Sequence, residues 1–207
     1  NTVAVGYQAL TALTTGTGNT AVGYQAATAL TTGANNTVLG YQALDSATSG
    51  SHNTVVGRFA GYSLTSGAIN TIIGYNAGYN LTSSGSNVFV GGQAGEAISG
   101  GSGKNISIGN TSMRNVSNDG AFSVAIGDEA FRYGTGDNTV AIGHQAAKGA
   151  SGSTTTNTVA VGYQALTALT TGLYNTALGY QAGASLTTGS RNTFIGYQAG
   201  DATGTSS

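Results

Sequence analysis

The sequence predicts an all-β fold, a parallel β-roll (β-solenoid) of about twelve coils with a repeat of ~17 residues. Three observations carry this expectation. A short phrase recurs from end to end: NTVAVGYQAL at residue 1, NTAVGYQAA at 19, NTVLGYQAL at 36, NTVVGRFAG at 53, NTIIGYNAG at 70 and NTFIGYQAG at 192. The glycine after its aliphatic residue, here the mark glycine, falls at Gly6, Gly23, Gly40, Gly57, Gly74, Gly91, Gly109, Gly127, Gly143, Gly162, Gly179 and Gly196, spaced 17 five times and then 18, 18, 16, 19, 17 and 17. Proline is absent from all 207 residues, which suits continuous backbone ladders to which proline cannot donate.

Each copy opens with a short strand. One residue before the mark stand Val5, Val22, Leu39, Val56, Ile73 and their counterparts to Ile195, all aliphatic. Three before it, Thr and aliphatic residues interchange, from Val3, Thr20, Thr37, Thr54 and Thr71 to Thr193. These two positions share one face of a strand and are strand formers. The opposite face, two before the mark, is also apolar: Ala4, Ala21, Val38, Val55, Ile72, Phe89 and onward to Phe194, with Ser107 the one polar member. A strand apolar on both sides is usually covered on both sides. The first face is expected to line the coil interior. The second, represented by Val38, Val55, Ile72, Phe89 and Phe194, is expected to be a subunit interface.

After the mark comes a second leg, expected to be an outer strand. Alanine stands three residues later in every copy except at Ser112, and Leu, Ile or Val stands seven later in most copies. Five later the residues are polar, aromatic or charged except at Ala184, giving a watered face. TTG or TSG then closes the coil at Gly16, Gly33, Gly50, Gly67, Gly172 and Gly189, a second corner of the kind glycine permits. Asn19, Asn36, Asn53, Asn70, Asn87, Asn105, Asn175 and Asn192 follow that corner, where stacked amides bond along the axis.

Composition narrows the function classes. Charged residues are 6% and the formal net charge is −1, which offers no electrostatic footprint for nucleic acid or an anionic membrane. No apolar run reaches the roughly 20 residues of a membrane span. Without cysteine there is neither a disulfide framework nor a thiolate metal site. The chain opens at Asn1 in mid-phrase, and it is read as one elongated domain over 1–207, a segment of a longer fibre, with irregular coils over 96–137.

Copies such as NTVAVGYQA (1–9), SVAIGDEA (123–130), NTVAIGHQA (138–146) and NTVAVGYQA (157–165) resemble the head repeats of YadA-like trimeric autotransporter adhesins, over essentially the whole chain. The fuller form, NTAVGYQA followed by LTTG and the next NT, also looks like repeat regions of phage tail fibres. The resemblance implies a left-handed roll, a homotrimer packed along its axis, an extracellular place on a cell surface or virion, and attachment to a host-surface glycan or protein.

No catalytic constellation emerges, so no enzyme, cofactor or metal is expected. Asp128 and Glu129 are adjacent and point apart, and His52 and His144 lie far apart without ligands at metal spacing. Two rows are candidates for recognition. One is the tyrosine after the mark, Tyr7, Tyr24, Tyr41, Tyr163, Tyr180 and Tyr197, each followed by Gln, whose rings either contact a ligand or stack coil on coil. The other is the outer row Tyr62, Tyr79, Glu96, Arg114, Arg132 and Lys148, in a stretch where the phrase loosens and charge concentrates. The expected function is a structural and attachment fibre segment. The alternatives are an ice-binding β-solenoid, suggested by the ladder Thr20, Thr37, Thr54 and Thr71, and a homopolymeric extracellular filament.

Overall fold

The computed structural model describes residues 1–101, 103–116 and 122–201. Twelve three-residue strands form one parallel sheet in chain order: β1 (Val3–Val5), β2 (Thr20–Val22), β3 (Thr37–Leu39), β4 (Thr54–Val56), β5 (Thr71–Ile73), β6 (Val88–Val90), β7 (Ile106–Ile108), β8 (Val124–Ile126), β9 (Val140–Ile142), β10 (Val159–Val161), β11 (Thr176–Leu178) and β12 (Thr193–Ile195). Each strand pairs with the same strand one coil on, as in Thr37↔Thr54, Val38↔Val55 and Leu39↔Val56. The register survives the uneven spacings, since Phe89↔Ser107, Ser107↔Ala125 and Ala125↔Ala141 are also partners. Extra residues are therefore absorbed in the corners. At ~4.8 Å per rung the sheet runs about 50 Å. The chain is an all-β parallel solenoid.

The mark glycine is needed twice over. All twelve have φ between 124° and 144°. A Cβ on Gly23 would also stand 2.3 Å from the carbonyl oxygen of Gly40 in the next coil. The second corner differs. Gly33 has no positive φ, but its Cβ would meet the Gly50 oxygen at 2.1 Å, so close approach of the stacked backbones demands glycine there.

The second leg is not a strand. It turns through alternating right- and left-handed residues, with positive φ at Gln8 (56°) and Leu10 (53°) and their counterparts. Each coil still bonds to its neighbours along this leg. Gln25 N–H donates to Tyr7 O at 2.8 Å, and Ala27 N–H donates to Ala43 O at 2.9 Å. Short three-residue turns add to this, such as Leu13 N–H to Leu10 O at 3.2 Å. Backbone groups are satisfied without extended geometry, which propensity alone does not reveal.

The core reverses the sequence expectation about the two strand faces. Val38, Val55, Ile72 and Phe89, expected at a subunit interface, are at most 1% exposed inside the coil. Phe194 packs against the same core from the last described coil. The reason is thickness. A coil of this length encloses one thin layer, built from the residue two before the mark and those three, four and seven after it. Nine of the alanines three after the mark, such as Ala43, Ala60 and Ala77, lie fully buried in that layer. The residues one and three before the mark lie on the opposite side of the same strand, so once the other face fills the layer they point outward.

Within the layer, volumes compensate. Phe89 lies against Gly95 and Gly78, where an added Cβ would come within 3.0 and 2.9 Å of its ring. In the eighth coil the large residue moves across: Ala125 stands in the strand, Phe131 in the leg, and Gly134 makes way, its Cβ otherwise 1.9 Å from Phe131. Ala160 likewise faces a coil filled by Leu166 and Leu169. Large and small residues thus trade places between the strand position and the leg position four after the mark, while the alanine three after the mark stays nearly constant. The two polar exceptions each donate to a backbone carbonyl: Ser107 Oγ to Ser112 O at 2.9 Å, and Ser112 Oγ to Ala125 O at 3.2 Å.

Candidate interaction surface

Turning the strands outward leaves one long apolar strip. The row one before the mark is solvent-facing along the sheet, with Leu39 and Leu178 both 48% exposed and Ile73, Ile108, Ile126 and Ile142 near 36%. Beside it runs the row three before the mark, in which Val3, Thr37, Thr54 and Thr193 are exposed and the rest half-buried. Neither row contains a charge in any of the twelve rungs. Single exposed aliphatics are ordinary on a protein surface, whereas here exposed and half-buried aliphatics follow one another along the whole sheet.

The tyrosine row borders this strip at the corner. Tyr7, Tyr24 and Tyr41 stack with ring centroids 5.2 and 5.1 Å apart. Tyr163, Tyr180 and Tyr197 stack at 5.1 and 5.3 Å, with His144 continuing the pile at 5.3 Å. Of the two uses the sequence left open, the rings stack coil on coil. Their faces cover each other, so these two stretches offer ring edges and hydroxyls. Behind them the glutamines form a ladder that sequence reading did not foresee. Gln25 Nε2 donates to Gln8 Oε1 at 2.9 Å, Gln42 to Gln25 at 2.8 Å and Gln181 to Gln164 at 2.9 Å. The signal was the strict Tyr-Gln pairing, because side chains at one position of every coil meet their own kind.

The expected asparagine ladder is present and buried. Asn36 Nδ2 donates to Asn19 Oδ1 at 3.0 Å and to the corner carbonyl of Gly50 at 2.8 Å. Asn53 repeats this with Asn36 and Gly67 at 3.1 and 2.9 Å. Each amide thereby ties the strand to the second corner of the following coil.

The second candidate row is brought together as the sequence suggested. Tyr62 and Tyr79 stack at 5.1 Å. Next, Arg114 Nε donates to Glu96 Oε2 at 2.8 Å, and Asn76 and Gln93 reach the other Glu96 oxygen. Glu129 takes the place of a ladder glutamine and binds Arg132, Lys148 Nζ at 2.7 Å and Gln145 Nε2 at 2.7 Å. The charges are half-buried and answer one another along the rod. Residues 102 and 117–121, part of the irregular stretch, lie outside the described residues.

Asp128 and Glu129 do point apart: Asp128 Oδ2 lies 3.4 Å from His144 Nδ1 on the tyrosine row, while Glu129 lies in the ladder behind. Among the described residues no three His, Asp or Glu gather as a metal site would need. Upstream, Arg58 and Phe59 replace Tyr and Gln. The Arg58 guanidinium sits 4.5 Å from the Phe59 ring and 5.9 and 5.7 Å from Tyr41 and Tyr75. Burial pushes the half-buried Asp45 carboxyl up, and a hydrogen bond from Thr28 opposes the rise.

No protein-family model, curated protein or solved structure matches this chain.

Proposed function

We propose that this chain is the shaft of an extracellular attachment fibre, of the tail-fibre or adhesin-head kind. It assembles as a homotrimer through the outward strand face and carries recognition residues on its remaining sides. The observation that supports this most is the uncharged strip made by Leu39, Val56, Ile73, Ile108, Ile126, Ile142 and Leu178 with their Thr and Val neighbours. Three copies packed around one axis would each cover that strip, and the number three follows the adhesin resemblance. The sheet supplies stiffness through coil-to-coil hydrogen bonding, and the stacked rings and paired charges supply a solvated exterior without an enzyme's constellation of groups. The partner is a host-surface glycan or protein.

Labelled protein applied to arrays of surface glycans and immobilised matrix proteins should bind a subset saturably. Failure to bind any of them, together with thermal hysteresis in supercooled solution, would replace this reading with the second one. That second reading, ice binding, draws on the outward Thr20, Thr37, Thr54 and Thr71, of which Thr37 and Thr54 are exposed.

A further inference from the structure

Every rung of the corner row carries a side chain except one. The row reads Tyr7, Tyr24, Tyr41, Arg58, Tyr75, Gly92, Asn110, Asp128, His144, Tyr163, Tyr180 and Tyr197. Where the row is complete, one ring fills one rung, with neighbouring centroids 5.1–5.3 Å apart. Gly92 therefore leaves a slot one ring thick.

The walls of the slot differ in chemistry. On one side stands Tyr75, 49% exposed, with Arg58 against its ring at 5.7 Å. In the regular stacks each ring covers the next, whereas the Tyr75 face toward Gly92 meets no neighbouring ring or cation among the described residues. On the other side is Asn110, exposed, whose Nδ2 donates to Asp128 Oδ1 at 3.2 Å. Its Oδ1 leans into the slot, 3.0 Å from where a Cβ of Gly92 would stand. An aromatic wall facing a hydrogen-bond acceptor suits a ring with C–H groups on its face and hydroxyls at its edge.

We propose that the rung at Gly92 is a subsite for one hexopyranose residue of a surface glycan. The sugar ring takes the place of the missing tyrosine, stacks on Tyr75 and donates a hydroxyl to Asn110 Oδ1. The aromatic side chain of a peptide would also stack, but it brings at most the one phenolic hydroxyl of tyrosine, whereas a sugar ring carries hydroxyls around its edge for the amide and carboxylate wall. This proposal rests on the attachment reading and names its ligand.

The test uses saturation-transfer NMR with the methyl glycosides of glucose, galactose, mannose and N-acetylglucosamine, and with N-acetyltyrosinamide as the peptide probe. At least one glycoside should receive magnetisation on its ring protons and outcompete N-acetyltyrosinamide. Gly92→Tyr should fill the slot and weaken that binding at least about tenfold. The backbone at Gly92 is not in the left-handed region, and the atom nearest an added Cβ is the side-chain oxygen of exposed Asn110 rather than backbone, so this variant should fold and melt like the parent. Tyr75→Ala should weaken binding by a similar factor. Transfer to none of the glycosides, binding that survives Gly92→Tyr, or preference for N-acetyltyrosinamide would overturn the proposal. Light-scattering mass on the same samples separates the two readings. A monomer with Gly92-dependent sugar binding removes the trimer and keeps the subsite, and a trimer without sugar binding does the reverse.

Discussion

The second to fifth coils and the sixth to ninth are built on the same sheet and finished differently. In the first group the amides Asn19, Asn36, Asn53 and Asn70 form one unbroken buried ladder. In the second group the amides continue only through Asn87 and Asn105, and Ser123 and Thr139 replace them in the eighth and ninth coils. Ser123 N–H still donates to Asn105 Oδ1 at 3.1 Å, and Thr139 N–H to Ser123 Oγ at 3.2 Å. The acceptor on the axis persists and hydroxyls take over the link to the corner, Thr139 Oγ1 donating to Thr155 O at 3.0 Å, but the amide-to-amide bond is lost, and these coils are the ones with uneven spacing. On the outside, glutamine and tyrosine ladders give way to the nodes at Glu96 and Glu129. The comparison teaches that repetition is enforced by backbone stacking at the mark glycine, less strictly by interior volume, and least by the outer rows.

The largest expected effect tests the strictest rule. Gly74→Ala would bring a Cβ to 2.3 Å from the Gly91 oxygen at a φ of 136°. Strain and clash together should cost more than about 3 kcal/mol in urea unfolding. Gly92→Ala, one coil on and one residue later, should be nearly neutral. Equal costs would break the claim that the mark position is special.

Next comes the interior. Phe89→Ala should cost about 3–5 kcal/mol through the cavity it leaves. Adding Gly95→Leu should recover a substantial part, because it recreates the Ala160–Leu166 arrangement found four coils later. If the double variant were less stable than Phe89→Ala, volume compensation across the layer would be wrong.

Much of this was legible in the chain. The strand, the mark glycine, the asparagine ladder and the outer row all follow from position within a fixed repeat, since stacking places like on like. Two features were not. Val38, Val55, Ile72 and Phe89 are as apolar as Leu39, Val56 and Ile73, so polarity could not say which face turns inward. Volume could: glycine at Gly61, Gly78 and Gly95 opposite Val55, Ile72 and Phe89 is a size correlation between the inner rows of one coil. The second leg resembles a strand in sequence because alternation of buried and exposed residues also arises where left-handed residues alternate with others along a turn.

Smaller effects sharpen the outer comparison. Glu129→Gln restores the ladder type of the regular coils and leaves Arg132 and Lys148 without their carboxylate. It should lose about 1–2 kcal/mol at low salt, and less at high salt, in parallel urea titrations. A gain in stability would mean that the charge node contributes nothing.

The smallest effect concerns Asp45, whose carboxyl is raised above its ordinary value of 3.8 by burial. The folded state holds the proton more tightly than the unfolded one. The stabilisation from protonation is therefore present below the ordinary value and is lost as pH rises through the folded one. Asp45→Asn should raise Tm slightly at pH 7 and leave it unchanged near pH 3. A lowered Tm at pH 7 would show that the Thr28 hydrogen bond, not burial, governs this carboxyl.

The central proposal is that the outward ridge of Leu39, Ile73, Ile126 and Leu178 is covered by sister chains. Light scattering of the purified chain measures this most directly, with Ile73→Asp/Ile126→Asp as the comparison. The account predicts three times the 20.3 kDa chain mass for the parent, falling toward a single chain in the variant. A parent that is fully folded at 20.3 kDa, with the variant indistinguishable from it, would contradict the account.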